Sequence, residues 1–145
     1  MFQKYLPLVA RSAIAIIFLN SGFGKLTDFS GTQQQIAGAG LPIAPVVTLF
    51  TIIFLLVGSL FLILGYRARI GAWLLIAFLV PATLVFHNPA VDPSQMTQFL
   101  KNLAIIGGLL MVAAYGSGPI SLSQQTKAVS SSEPTPVSSE VYSQD

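Results

Sequence analysis

The fold of this chain is decided by residues 43–86, which read IAPVVTLFTIIFLLVGSLFLILGYRARIGAWLLIAFLVPATLVF. The charged residues of this stretch are Arg67 and Arg69, and they divide it into two apolar runs. Each run is close to the roughly 20 helical residues that cross a hydrocarbon core about 30 Å thick. The step from Arg67 to Arg69 is too short for a loop between soluble domains. It therefore predicts a tight, basic turn between two membrane-spanning helices.

The composition of the whole chain also favours a membrane protein. Of the 145 residues, 53% are hydrophobic and 8% are charged, and the mean hydropathy is +0.74, whereas soluble domains carry about 25% charged residues. The absence of cysteine excludes disulfides and thiol chemistry by this chain. The net charge of +2, the single histidine and the few acids argue against a nucleic-acid-binding surface and against a self-contained metal site. We expect no metal, no covalently bound cofactor and no nucleic-acid partner.

Two further apolar runs bring the predicted spanning helices to four. The first covers about Leu6 to Gly24, and we expect it to be retained because Arg11 interrupts what would otherwise be a signal-peptide core. The last covers about Phe99 to Tyr115 and ends at a Gly-Ser-Gly-Pro helix stop. Four such runs with short connections predict an all-α fold, an antiparallel four-helix transmembrane bundle packed through small residues.

The connection at residues 27–41 and the end of the chain differ from these runs. The connection is too polar to span and too long for a tight turn, so we expect a short interfacial helix that starts near Ser30 or Thr32. After about position 120 the composition changes to Ser, Pro, Thr, Gln and Glu. We therefore predict a four-helix domain over residues 1–120 and a disordered cytoplasmic tail over residues 121–145.

The basic residues set the predicted orientation, because cytoplasmic loops are enriched in Lys and Arg. We place the turn with Arg67 and Arg69 on the cytoplasmic side, which predicts an N-in, C-in topology. These two arginines then serve the structure rather than any chemistry. Arg11, one turn inside the first helix, can reach the same face, where it pairs with a helix carbonyl or with a lipid phosphate.

Polar residues collect at the opposite, outer ends of the helices. In the predicted topology Lys25 ends the first helix, His87 ends the third, and Lys101 lies near the start of the fourth. If their faces point inward, they line an outward-opening pocket that suits a small oxyanion or the carbonyl head group of a quinone. The candidate ligand-binding residues are Asn20, Lys25, His87, Lys101 and Asn102. The alternative is that the cations and the histidine face solvent or lipid head groups and that the two amides only bridge helices.

Several short motifs occur in an order that is characteristic of one family. They are Ala10-Arg11 followed by FLNSGFGKL at residues 18–26, Gly58 to Gly65 followed by Arg69, Phe86-His87, FLKNL at residues 99–103, and Gly116-Ser117-Gly118 followed by Ser121-Leu122. From about Leu8 to Leu122 the chain thus resembles the DoxX family of small bacterial integral membrane proteins. The resemblance implies a multi-pass protein of the bacterial cytoplasmic (inner) membrane. Some members of this family look linked to sulfur-compound oxidation with a quinone as acceptor, and others to membrane-bound oxidative-stress complexes.

One position departs from the family pattern. Many members carry a glutamate in the second helix, whereas residues 51–56 here read TIIFLL, with Leu55 in the corresponding place. Arg11 and Lys25 therefore lack an intramembrane counter-charge, which argues against a proton-coupled mechanism.

These observations predict an accessory subunit in membrane redox or oxidative-stress processes that is not an enzyme on its own. It would bind a quinone or a small anion near its outer face. The expected partners are the lipid bilayer, other membrane or redox subunits and further copies of the chain; if it forms part of an enzyme, a quinone-linked oxidoreductase fits. One alternative is a membrane-organising subunit without a ligand. The other is a small-solute permease, which ranks last because four helices with few internal polar residues make a poor channel.

Overall fold

A computed structural model describes residues 1–131 of the chain as a bundle of helices. In chain order the helices are α1 (Leu6–Thr27), α2 (Phe29–Gly38), α3 (Ala44–Leu64), α4 (Ala68–Phe86), α5 (Met96–Tyr115) and α6 (Leu122–Ser131). Of these, α1, α3, α4 and α5 belong to segments long and apolar enough to cross a membrane. No strand occurs within residues 1–131. The prediction of an all-α protein with four transmembrane helices is confirmed.

The four long helices run alternately up and down. α3 packs against both α1 and α4, α4 packs against α5, and the short α2 lies against α3. We call the end of the bundle that carries Arg67 and Arg69 the arginine end, and the end that carries Lys25 and Lys101 the lysine end. Both α6 and the start of α1 lie at the arginine end, as an N-in, C-in topology requires; the orientation in the membrane stays a prediction.

The turn between α3 and α4 consists of Gly65, Tyr66 and Arg67, and Arg69 already belongs to α4. The backbone reverses within these three residues because Gly65 (φ 67°) and Arg67 (φ 47°) both adopt the left-handed conformation. The Arg67 guanidinium lies over the Tyr66 ring, 5.6 Å from its centroid. The turn thus starts two residues earlier than the Arg67–Arg69 step suggests.

Glycines allow α3 and α4 to approach closely in the half of the bundle toward the arginine end. A Cβ atom added at Gly71 would lie 2.8 Å from the Gly58 carbonyl oxygen and 2.7 Å from the Phe61 Cβ atom. Small residues let helix backbones come together in lipid, where dispersion and weak hydrogen bonds replace the hydrophobic effect. The α3–α4 contact therefore depends on the absence of a side chain at these positions.

Replacement of Gly71 by alanine is expected to lower the free energy of unfolding by about 1–3 kcal/mol, because the new methyl group overpacks against a backbone oxygen. The measurement is the thermal unfolding midpoint of the detergent-solubilised protein. Gly107→Ala is the matched control, since a Cβ atom at Gly107 in α5 has open space around it, and alanine favours the helix by up to about 1 kcal/mol. A lower midpoint for Gly107→Ala than for Gly71→Ala would contradict the close contact.

The short helix between the first two spans is present, but its cap differs from the prediction. α2 begins at Phe29 and is capped by Asp28, whose Oδ1 accepts a hydrogen bond from the Gly31 N–H at 3.0 Å. The predicted caps, Ser30 and Thr32, lie inside the helix. The Asp28 carboxylate lies close to Gly31, so a Cβ atom at residue 31 would require the carboxylate to shift.

A second aspartate organises the connection that leads into α5. The Ser94 hydroxyl and the Ser94 N–H both donate to Asp92 Oδ1, at 2.7 and 3.0 Å, and these bonds lower the pKa of the Asp92 carboxyl group. Asp92 thereby caps the 3-10 turn Pro93–Gln95, which continues into α5. The start of α5 is thus fixed at the lysine end.

The first part of the predicted tail is helical rather than disordered. Residues Leu122–Ser131 form α6, and the Ser121 hydroxyl accepts a hydrogen bond from the Gln124 N–H at 3.4 Å at its start. Ser123 Oγ donates to the Gly65 carbonyl oxygen at 2.9 Å and accepts from the Arg67 N–H at 3.2 Å. These bonds attach α6 to the α3–α4 turn, which explains why a polar segment is ordered here. Residues 132–145 lie outside the described part of the chain, and their disorder stays a prediction.

Candidate ligand-binding site

A cavity of about 1030 Å³ lies between the helices in the half of the bundle toward the lysine end. Residues from each of the helices α1 to α5 line it. Its walls are mainly apolar and include the rings of Phe18, Phe50, Phe54 and Phe78. Small-molecule pockets commonly have volumes of roughly 300–1,000 Å³, so the cavity can hold a ligand of drug size.

The side chains of α3 and α4 explain why the cavity lies in this half. Gly58 and Gly71 bring the two helices together toward the arginine end. Toward the lysine end, large side chains follow: Phe54 lies one turn from Gly58, and Phe78 lies two turns from Gly71. These rings hold the helices apart and form the wall of the space that results.

The structure brings most of the predicted ligand residues together on this cavity. Lys25 from α1, His87 at the end of α4, and Lys101 and Asn102 from α5 all belong to its lining. Asn20 does not line the cavity and is exposed on the surface of α1. The predicted convergence at one end of the bundle therefore includes four of the five residues proposed for the ligand.

Hydrogen bonds within residues 1–131 orient two of these side chains. His87 Nδ1 lies 2.8 Å from Gln95 Oε1, and because an amide oxygen only accepts, Nδ1 carries the hydrogen and Nε2 is the free ring nitrogen. Asn102 Nδ2 donates to Thr83 Oγ1 at 3.0 Å, and Thr83 Oγ1 donates to the Leu79 carbonyl oxygen at 2.6 Å. Asn102 therefore keeps its amide oxygen and its second N–H as the remaining hydrogen-bonding groups.

The two lysines give the lysine end of the cavity a positive character. Lys25 is half-buried, and the Lys101 ammonium group donates to the side-chain oxygen of Gln98. Among residues 1–131, those that line the cavity include no aspartate or glutamate. Positive charge in the lining attracts anions and carbonyl oxygens, so this end can bind the polar part of a ligand.

Sequence reasoning missed two polar groups on the cavity, Gln35 of α2 and Gln95, but Pro81 in α4 predicts a freed backbone carbonyl. Pro81 has no N–H, so the Ala77 carbonyl oxygen lacks its helical donor four residues ahead. Both residues line the cavity, which places a backbone acceptor in an otherwise apolar wall. The freed carbonyl follows from the proline in the sequence, whereas its position on the cavity is known only from the structure.

Arg11 lies far from the cavity, at the arginine end. Its side chain is 1% exposed; Nη2 donates to the Ile120 carbonyl oxygen at 2.9 Å and Nε to the Pro7 carbonyl oxygen at 3.3 Å. Nη1 is buried and has no partner among the described residues. Arg67 is exposed, and the Arg69 guanidinium lies against Gly116. None of the three arginines lines the cavity.

The fold and the site define a class of protein. The chain is a small, multi-pass membrane protein with four spanning helices and a partly open, largely apolar cavity that ends in cationic and amide side chains.

Comparison with known proteins identifies the family within this class. The DoxX family model matches residues 6–88, and the chain belongs to the DoxX family. It is 33% identical to the inner membrane protein YqjF of Escherichia coli over 117 residues, which are 79% of this chain and 87% of that protein. It is 32% identical to the Escherichia coli inner membrane protein YphA over 129 residues, 85% of this chain and 91% of that protein.

A more distant similarity extends to a eukaryotic protein. The Surfeit locus protein 4 homolog of Drosophila melanogaster is 31% identical over 83 residues, which are 50% of this chain and 30% of that protein. No solved structure shows significant similarity to the chain. The family match and the two bacterial relatives confirm the resemblance, and with the four spans they confirm a multi-pass protein of the inner membrane.

Proposed function

We propose that this DoxX-family protein binds an amphipathic small molecule, with a quinone as the first candidate, in the cavity at its lysine end. In this role it is an accessory component of membrane redox or oxidative-stress processes rather than an enzyme on its own. The observation that carries the proposal is that Lys25, His87, Lys101 and Asn102 share one cavity whose walls are otherwise mainly apolar.

The chemistry of the cavity supports a ligand with a carbonyl head group and an apolar body. Aromatic side chains such as Phe50 and Phe54 offer the dispersion contacts that a flat ring or an isoprenoid chain requires. Lysine ammonium groups donate hydrogen bonds to a carbonyl oxygen without accepting any. A quinone combines both parts, and it is dissolved in the same membrane.

A small oxyanion is a second candidate because the lining, as far as the described part of the chain supplies it, includes lysines and no carboxylates. An anion needs only the cationic end, whereas a quinone also needs the apolar volume. Substitutions that fill the apolar part of the cavity should therefore affect binding of a quinone more than binding of an anion.

The test measures equilibrium binding of a short-chain ubiquinone analogue and, separately, of thiosulfate to the purified protein in lipid nanodiscs. Lys25→Met is expected to weaken binding about tenfold or more, because hydrogen bonds to charged groups contribute about 1.5–3 kcal/mol. The matched control is Lys4→Met, which removes an exposed lysine at the arginine end. Equal weakening by both variants would indicate a general charge effect rather than a site.

A second pair of variants separates the quinone from the anion. Ala82→Phe fills the cavity from α4 and is expected to abolish quinone binding while the thiosulfate contacts at the cationic end remain. Ala104→Phe, on the exposed face of α5 and outside the cavity, is the control. Binding of neither ligand by the unmodified protein would overturn the proposal and favour a membrane-organising subunit without a ligand.

A further inference from the structure

Asn20 points directly away from the bundle. Phe18 and Gly22, two residues before and after it, are both buried. Two residues correspond to a rotation of about 200° around a helix axis, so Asn20 lies opposite the packed face of α1. Val9, Ala13, Ile16, Phe23 and Gly24 are exposed on the same side and, together with Asn20, form what we call the outer stripe of α1.

The position of Asn20 along α1 places it in the hydrocarbon part of the membrane. Asn20 precedes the end of the helix at Thr27 by seven residues, which is about 10 Å of helix at 1.5 Å per residue. The bilayer core is about 30 Å thick, so the amide lies roughly 10 Å inside it if α1 spans the core. The asparagine side chain is too short to reach the lipid head groups from this depth.

The amide group of Asn20 forms no hydrogen bond within residues 1–131. Asn102, in contrast, is buried inside the bundle and bonds to Thr83. A donor and an acceptor that face lipid without partners are costly, because hydrocarbon supplies neither. The exposed amide therefore requires a partner that this bundle does not provide.

We propose that the outer stripe of α1 is an interface with a second copy of this chain, in which Asn20 bonds to the Asn20 side chain of the other copy. The two copies are related by a twofold axis parallel to the membrane normal, so that the two amides meet at the same depth. This interface uses none of the α1 residues that line the cavity, which are Ile17, Phe18, Ser21 and Lys25.

The chemistry of the stripe supports a second copy as the occupant. A carboxamide is both a donor and an acceptor, so a symmetric pair satisfies both groups of each side chain, as an isologous interface requires. Ala13 and Gly24 flank Asn20 on the stripe, and a Cβ atom at Gly24 would have open space around it. The stripe carries no charge, so two identical faces meet without repulsion.

The test uses the cysteine-free sequence, into which single cysteines can be placed without interference. Gly24→Cys on the outer stripe is expected to form a disulfide-linked dimer under mild oxidation in native membranes. Gly107→Cys is the matched control, because it replaces an equally open glycine on the outward face of α5. In the Gly24→Cys background, Asn20→Leu is expected to reduce the crosslinked fraction, whereas Asn20→Gln retains it.

The strength of the interface is measured on the chain without added cysteine. Asn20→Leu is expected to raise the dimer dissociation constant in micelles roughly three- to thirtyfold, the range that interhelical hydrogen bonds in lipid imply. The variant keeps the fold, because leucine suits a lipid-facing position. The proposal would be overturned by equal crosslinking at Gly107→Cys or by an unchanged dissociation constant for Asn20→Leu. It would also be overturned if Gly24→Cys crosslinked only to a different membrane protein.

Discussion

Gly65→Ala is expected to lower the free energy of unfolding by about 2–5 kcal/mol, the sum of backbone strain and a steric collision. Gly65 ends α3 with φ 67°, in the left-handed region that disfavours side chains. A Cβ atom there would also lie 2.5 Å from the Ser121 Cβ atom and collide with Nη1 of Arg11. The substitution should in addition loosen α6, because Ser123 Oγ donates to the Gly65 carbonyl oxygen.

Gly40→Ala separates the two contributions. Gly40 has φ 79°, but a Cβ atom there has nothing within 4 Å. It is therefore expected to cost about 1–2 kcal/mol from strain alone. Both variants are compared by their thermal unfolding midpoints in the same detergent. A loss for Gly40→Ala as large as that for Gly65→Ala would show that Arg11 and Ser121 do not crowd the turn.

Arg11→Met is expected to release the segment that follows α5 and to accelerate trypsin cleavage after Lys127 about ten- to a hundredfold. Hydrogen bonds to charged groups contribute about 1.5–3 kcal/mol, and the population of a locally open segment rises accordingly. The bond that is lost joins Arg11 Nη2 to the Ile120 carbonyl oxygen. The measurement is the rate at which the fragment ending at Lys127 appears in mass spectra of the detergent-solubilised protein.

The effect of Arg11→Met on global stability should be much smaller than its effect on cleavage. Removal of a buried guanidinium also removes the cost of its unpartnered Nη1, and replacing buried charges with apolar groups is often neutral. Lys4→Met is the control, because it exchanges an exposed cation for the same residue near the start of α1. Unchanged cleavage in Arg11→Met would mean that Ser123 alone holds α6.

The sequence predicts which residues lie at the lysine end because hydropathy determines the depth of each residue in the membrane. Once four spans are recognised, Lys25, His87 and Lys101 must lie at the same end of the bundle. Hydropathy does not determine how each helix is rotated about its axis. Asn20 and Ser21 are adjacent in the sequence, yet Ser21 lines the cavity and Asn20 points away from it.

Contacts between distant parts of the chain account for the remaining differences. The Arg11 side chain bonds to Ile120, and Ser123 bonds to the α3–α4 turn. Local sequence periodicity indicates neither contact. The composition of residues 122–131 is typical of disorder, and it therefore does not predict the helix α6. The α2 cap was missed for a different reason: Asp28, Ser30 and Thr32 are all suitable N-cap residues, and residue preference alone does not select among them.

The bond between Arg11 and Ile120 also bears on how the protein is made. Its partners are separated by 109 positions, and chains are synthesised from the amino end at about 5–20 residues per second. Arg11 therefore enters the membrane several seconds before its acceptor leaves the ribosome, and it must wait at the aqueous surface or among lipid phosphates. Assembly is complete only when Ile120 arrives, so a nascent chain that stops before Ile120 holds Arg11 through the Pro7 carbonyl oxygen alone.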